Sequence, residues 1–167
     1  PKPTPKPSSA AADVYKRQVH VGAVAFFAAT DNEHGTELWM TDGTLAGTRM
    51  VKDISPGVGN SSPSGLIALD DRLIFAANDG TNGREIWISD GTDAGTVMLK
   101  NISATGSSSP GSLAVVGDNI VFSANDGAAT GTELWKTDGT PDGTVLVKDI
   151  VSGTNGSGPV SYTHLTL

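Results

Sequence analysis

The sequence predicts an all-β chain made of tandem four-stranded antiparallel sheets, the blades of a partial β-propeller. Three observations predict it. One unit recurs in register along the chain, each unit holds four short strand-like runs, and several of those runs are apolar on both faces.

The recurrence decides the architecture, because a fixed period of several tens of residues marks repeat folds. The strings GTELWMTDGTLAGTRMVKDI, GREIWISDGTDAGTVMLKNI and GTELWKTDGTPDGTVLVKDI begin at Gly35, Gly83 and Gly131. Trp39, Trp87 and Trp135, the only three tryptophans, fall at the same place in each, 48 residues apart. Lys52, Lys100 and Lys148 keep the same spacing. Upstream, AFFAATDNEHG, LIFAANDGTNG and IVFSANDGAATG align, as do the linking strings SSPSGLIALDD and SSPGSLAVVGD.

Within the unit from Ser61 to Ile102 the apolar runs are Gly65 to Leu69, Arg72 to Ala77, Glu85 to Ser89 and Thr96 to Ile102. Each has strand length and is rich in β-branched and aromatic residues. Asp70-Asp71, matched by Gly117-Asp118, is a two-residue hairpin signal. Asn78-Asp79-Gly80 and Asp90-Gly91-Thr92 are further turn clusters. No segment carries a helical apolar period. The first unit is expected to begin at its second strand. Leu73 to Ala77 and Ile86 to Ile88 lack polar alternation, so both faces must be covered. Sheets stacked face to face provide that cover, as propeller blades do. A β-solenoid of parallel coils is the alternative.

The ends differ in composition from the repeats. Residues 1–12, PKPTPKPSSAAA, read as a Pro-rich linker. Asp13 to Gln18 is what GAT-GTG-TAT-AAG-AGA-CAG encodes, the transposase mosaic end used to build sequencing libraries. Val160 to Leu165 matches the same element on the opposite strand. Residues 1–18 and 160–167 are therefore expected to add nothing to the fold, leaving residues 19–159 as about three blades.

Over residues 19–159, 7 Lys and Arg face 17 Asp and Glu. That balance argues against nucleic acid and anionic membranes as partners, since both need a basic patch. No apolar run is long enough to insert into a membrane. With no Cys, disulfides and thiolate-held metals are excluded.

Among recurrent polar residues, Asp42, Asp90 and Asp138 precede Gly in every copy and read as turn-forming rather than catalytic. Trp39, Trp87 and Trp135, set between apolar residues inside strands, read as blade-to-blade core rather than as a sugar platform. The loops Thr30 to Glu33, Asn78 to Gly80 and Asn125 to Gly127 combine oxygen ligands with Gly, a composition that suits Ca²⁺, although the EF-hand spacing is missing. Glu37, Glu85 and Glu133 follow at the next strand. Asn78, Asp79, Asn125 and Asp126 are thus the candidate ligand-binding residues, with Ca²⁺ the one cofactor considered. His34 has no counterpart in the other copies, and no catalytic triad or metal-hydrolase spacing is present. Lys52-Asp53 and Lys148-Asp149 read as solvated charges.

The strings ELWMTDGTLAGT, EIWISDGTDAGT and ELWKTDGTPDGT resemble the ELWxxDGT repeat family of bacterial proteins, also described as hyalin-like, across roughly Val19 to Pro159. The resemblance implies large, secreted or surface-exposed multi-repeat proteins, with no catalytic residues to carry over. The expected function is non-catalytic binding of protein or glycan, with further blades of the same chain as neighbours. The alternative is part of a propeller hydrolase or lyase whose site lies in other blades. Near-identical units favour the first, because an active site breaks repeat symmetry. In an up-and-down meander alternate connections share an edge, so the Asn-Asp-Gly loops should lie with the long Ser- and Gly-rich connections, opposite the DGT turns.

Overall fold

A computed structural model describes residues 18–127 and 130–159. They form twelve strands and, among the described residues, no helix. The first sheet contains β1 (Val19–Val21), β2 (Val24–Asp31), β3 (Gly35–Thr41) and β4 (Arg49–Lys52). The second contains β5 (Ser64–Leu69), β6 (Arg72–Asn78), β7 (Arg84–Ser89) and β8 (Val97–Lys100). The third contains β9 (Gly111–Val116), β10 (Asn119–Asn125), β11 (Thr132–Thr137) and β12 (Val145–Lys148). Each sheet takes its strands in chain order, and every pairing is antiparallel. These are tandem four-stranded blades, and the parallel coils of a solenoid are absent from the described residues. The expectations for residues 1–17 and 160–167 lie outside the described residues.

One expectation is corrected at the start. The first repeat does not begin at its second strand, because Val19–Val21 pairs with β2 through Val19↔Phe26 and Val21↔Val24. The run is short and follows a stretch of foreign composition, so its strand character is weak in the sequence. The two-residue turn at Gly22-Ala23 (φ +58° at Gly22) matches those at Asp70-Asp71 (φ +53° at Asp70) and Gly117-Asp118 (φ +58° at Gly117).

The strands apolar on both faces are sandwiched. The second sheet turns Leu73, Phe75, Ala77 and Trp87 toward the first sheet, where they meet Phe26, Leu38, Val51 and Ile54. Its other face carries Leu69, Ile74, Ile86, Ile88 and Leu99 against Ile120, Phe122, Ala124 and Trp135 of the third. Alternate residues of a strand project to opposite faces, so an unbroken apolar run feeds two cores at once. The sheets approach each other most closely along their first strands, β1 beside β5 and β5 beside β9. Sheets close at their first strands and apart at their last fan out as blades do.

The interfaces also carry polar bonds. Lys52 Nζ donates to the Asp93 carbonyl at 3.0 Å, and Lys100 Nζ to the Thr144 carbonyl at 2.7 Å. Each lysine thus ties the last strand of one blade to the DGT turn of the next. Lys52, read from the sequence as a solvated charge, is therefore an inter-blade contact. Only the fold places that turn within its reach.

Candidate functional site

The polar residues divide between two edges, as the meander requires. The DGT turns join the third and fourth strands and share their edge with the two-residue hairpins. In the second blade, Asp90 Oδ1 accepts the Thr92 N–H at 2.8 Å and the Thr92 hydroxyl at 2.7 Å. Thr92 Oγ1 then accepts the Gly95 N–H at 2.9 Å, and Thr96 Oγ1 donates to the Thr92 carbonyl at 2.7 Å. The same bonds recur around Asp42 and Asp138. A Cβ on Gly95 would overlap the Asp90 carboxylate, which explains the second glycine of the motif. The threonine hydroxyl and amide hold these three carboxyls below their ordinary range. The recurrent aspartates are therefore structural acceptors, as their DGT context suggested.

The opposite edge carries the candidate ligand-binding loops. Asn78 Oδ1 accepts the Gly80 N–H at 2.8 Å. Asp79 accepts the N–H groups of Thr81 and Asn82 at 2.9 and 2.7 Å, and its other oxygen accepts the Asn82 side-chain amide at 2.6 Å. Burial works to raise the Asp79 pKa, and the bonds from Asn82 and Thr81 outweigh it, leaving it lowered. In the third blade Asn125 Oδ1 accepts the Gly127 N–H at 2.7 Å, while Asp126 accepts the Thr130 N–H and hydroxyl, both at 2.9 Å. In the first, Asp31 bonds the N–H groups of Glu33 and His34 and pairs with the His34 ring at 3.0 Å. That hydrogen bond lowers the Asp31 pKa and raises that of His34. Among the described residues, no three or more His, Asp or Glu side chains gather where they could hold a metal.

The long connections run along this same edge, as the meander predicts. Asn60 Oδ1 accepts the Thr36 N–H at 2.8 Å, Ser107 Oγ accepts the Arg84 N–H at 2.8 Å, and the Asn101 amide donates to Asn82 Oδ1 at 3.2 Å. Gly35, Gly83 and Gly131 open the third strands with φ of +67°, +78° and +72°, and a Cβ on any of them would strike the connection. The edge is thus a continuous band of packed loops rather than a set of separate turns.

What holds the band is a residue series that sequence reasoning placed but did not explain. Glu37, Glu85 and Glu133 are fully buried. Glu37 accepts the N–H of Ile54 at 3.0 Å, the N–H of Ser61 at 3.1 Å and the Ser61 hydroxyl at 2.6 Å. Glu85 does the same with Ile102 and Ser108, and Glu133 with Ile150 and Ser157. On the other side of the joint, the Ser61 carbonyl accepts the Asn78 N–H and the Ser108 carbonyl accepts the Asn125 N–H. One serine therefore grips its own blade through the glutamate and the next blade through its carbonyl. The signal was present: a Glu before each Trp and a Ser-Ser-Pro or Ser-Gly-Pro about two dozen residues on. Burial outweighs the hydrogen bonds at Glu37 and raises its pKa. At Glu133 burial still pushes upward, but the bonds from Ser157 and Ile150 prevail and lower it.

Trp87 and Trp135 are 6% and 8% exposed and lie in the inter-blade cores, whereas Trp39 is half-buried. Two of the three tryptophans are thus packed between blades, which removes them as a sugar platform. In comparison with known proteins, no family model matches this chain and no curated protein matches it.

Proposed function

We propose that this chain is a non-catalytic repeat module of the ELWxxDGT kind, belonging to a secreted or cell-surface protein and binding protein or glycan through the loop edge. One observation carries the reading. The DGT aspartates and the buried glutamates, carboxylates common to all three blades, are engaged by backbone N–H groups. On the loop edge the recurrent Asp31, Asp79 and Asp126 take a different side-chain partner in each blade, His34 in the first, Asn82 in the second and Thr130 in the third. Variable loops on a rigid sheet scaffold are where binding specificity usually resides. The net negative charge of the repeats favours neutral or basic ligands over nucleic acid.

The test is a screen of the full chain against immobilised glycans and surface proteins, followed by paired substitutions. Asp79→Asn and Asp126→Asn keep the turn-forming oxygen and remove the charge. They are expected to weaken binding at least about tenfold, the effect of losing one charged contact. Asp142→Asn, on the DGT edge, should leave binding unchanged. Sensitivity at Asp142 with none at Asp79 or Asp126 would overturn the assignment of the loop edge.

A further inference from the structure

The same dipeptide occurs twice on the loop edge, in unlike surroundings. Asn82-Gly83 and Asn155-Gly156 are the two Asn-Gly pairs of the chain. Glycine has no Cβ, so its backbone nitrogen is uncrowded. That nitrogen can attack the side-chain carbonyl of the preceding asparagine, provided the side chain is free to turn toward it. Asn82 is not free. Its amide nitrogen donates to Asp79 Oδ2 at 2.6 Å, and its oxygen accepts the Asn101 amide at 3.2 Å. Rotation toward Gly83 breaks both bonds. Asn155 is exposed. Among the described residues, the hydrogen bonds of its connection pass through Ile150, Ser157 and Gly158, on either side of it, and none holds its side chain. This openness belongs to the connections themselves: residues 56–58 and 104–107 are also exposed, although a blade follows each.

We propose that Asn155 is a site of spontaneous covalent modification, cyclising with the Gly156 nitrogen in the folded chain while Asn82 stays intact. The Gly156 nitrogen gives up its proton and bonds to Cγ of Asn155. The Cγ–Nδ2 bond breaks, and Nδ2 leaves with that proton as ammonia, giving a succinimide. Water then opens the ring at either carbonyl. Breaking the new N–Cγ bond leaves aspartate. Breaking the original peptide bond leaves isoaspartate, in which the main chain runs through the side-chain carbon. Neither step needs an oxidant, a reductant or a metal. Both products add a negative charge to the loop edge. Isoaspartate also lengthens the backbone by one carbon two residues before Ser157, whose N–H and hydroxyl are held by Glu133. Gly156 has little room to absorb that change, because its φ is +60° and a Cβ on it would lie 2.3 Å from the Thr132 nitrogen. Modification at Asn155 therefore loosens the glutamate joint of the third blade.

Incubation of the full chain at mildly alkaline pH, followed by peptide mapping with mass spectrometry, tests this. The folded protein should show the amide-to-acid mass change at Asn155 at least about tenfold faster than at Asn82, the factor that two modest hydrogen bonds supply. The rate at Asn155 should rise with pH, because the attacking nitrogen must lose its proton. In concentrated urea the two sites should react at similar rates, since both are then free Asn-Gly pairs. Enzymatic methylation of isoaspartyl carboxylates should label the Asn155 peptide. Asn155→Gln should abolish that label, because the longer side chain does not close the ring readily. Converted protein should also melt at a lower temperature than an equally incubated Asn155→Gln chain. Equal rates at the two sites in the folded protein would overturn the proposal. So would an Asn155 that stays intact while the unfolded chain reacts. An unchanged melting temperature after conversion would overturn the loosening of the joint.

Discussion

At the scale of single residues, the most informative side chain is the aspartate of the DGT turn. Asp90 does four things at once: it accepts an N–H and a hydroxyl from Thr92, excludes a side chain from Gly95, and remains charged in solvent. Bonds to the ionised form hold its pKa down, and the same holds at Asp42 and Asp138. A carboxyl whose pKa is depressed by folding stabilises the native state above its unfolded pKa. That contribution disappears as pH falls through the folded value. The chain should therefore lose stability on acidification below about pH 4, the ordinary carboxylate range. Asp90→Asn keeps an acceptor oxygen but cannot titrate, so its melting temperature should vary less with pH than that of the wild type. Thermal melts across the acid range check this, and equal slopes for the two proteins would contradict it.

At the scale of the element, the connection between blades is the part with least regular structure and the most defined polar bonding. A segment such as Ser103 to Ser107 contains no strand, yet it is held between the Glu85 carboxylate and the following blade. Removing the carboxylate would leave buried donors of Ile102 and Ser108 without an acceptor. Each unsatisfied buried group costs about 1–3 kcal/mol, so Glu85→Ala should lower stability by about 3 kcal/mol or more. Glu85→Gln, which retains one acceptor, should fall between the two. Urea unfolding measures both, and an alanine variant within about 1 kcal/mol of the wild type would mean that water replaces the carboxylate. Ser108→Ala tests the other half of the joint and should lose less, because the backbone bonds remain.

At the scale of the molecule, each blade depends on its neighbours for burial. The tryptophan series reads this out, because three chemically equal side chains sit in unequal surroundings. Trp87 is packed between the first and second blades, while Trp39 lies on an open face. Large-to-small truncation of a buried aromatic costs about 3–5 kcal/mol. Trp87→Ala should show that loss in urea unfolding, and Trp39→Ala about half of it or less. Equal losses would mean that Trp39 is covered after all. The indole nitrogens of all three are buried without an acceptor, a recurrent feature for which the packing supplies no account.

Much of this was legible in the sequence itself. The repeat period, the strand runs and the turn residues are local or periodic properties, and a strand alternates its faces whatever lies beyond it. The DGT aspartates belong with these, since their partners lie within a few residues. The loop edge was legible for a similar reason: in an up-and-down meander the parity of the connections assigns each loop to an edge. The role of Glu37, Glu85 and Glu133 was not, because their acceptor bonds reach across a connection to residues 17 to 24 positions away. The inter-blade reach of Lys52 and Lys100 was not either, since it spans 41 to 44 positions. Only the tertiary structure decided which apolar faces are covered and which stay open. Burial depends on what stands opposite a residue, and three nearly identical strings encode three different surroundings.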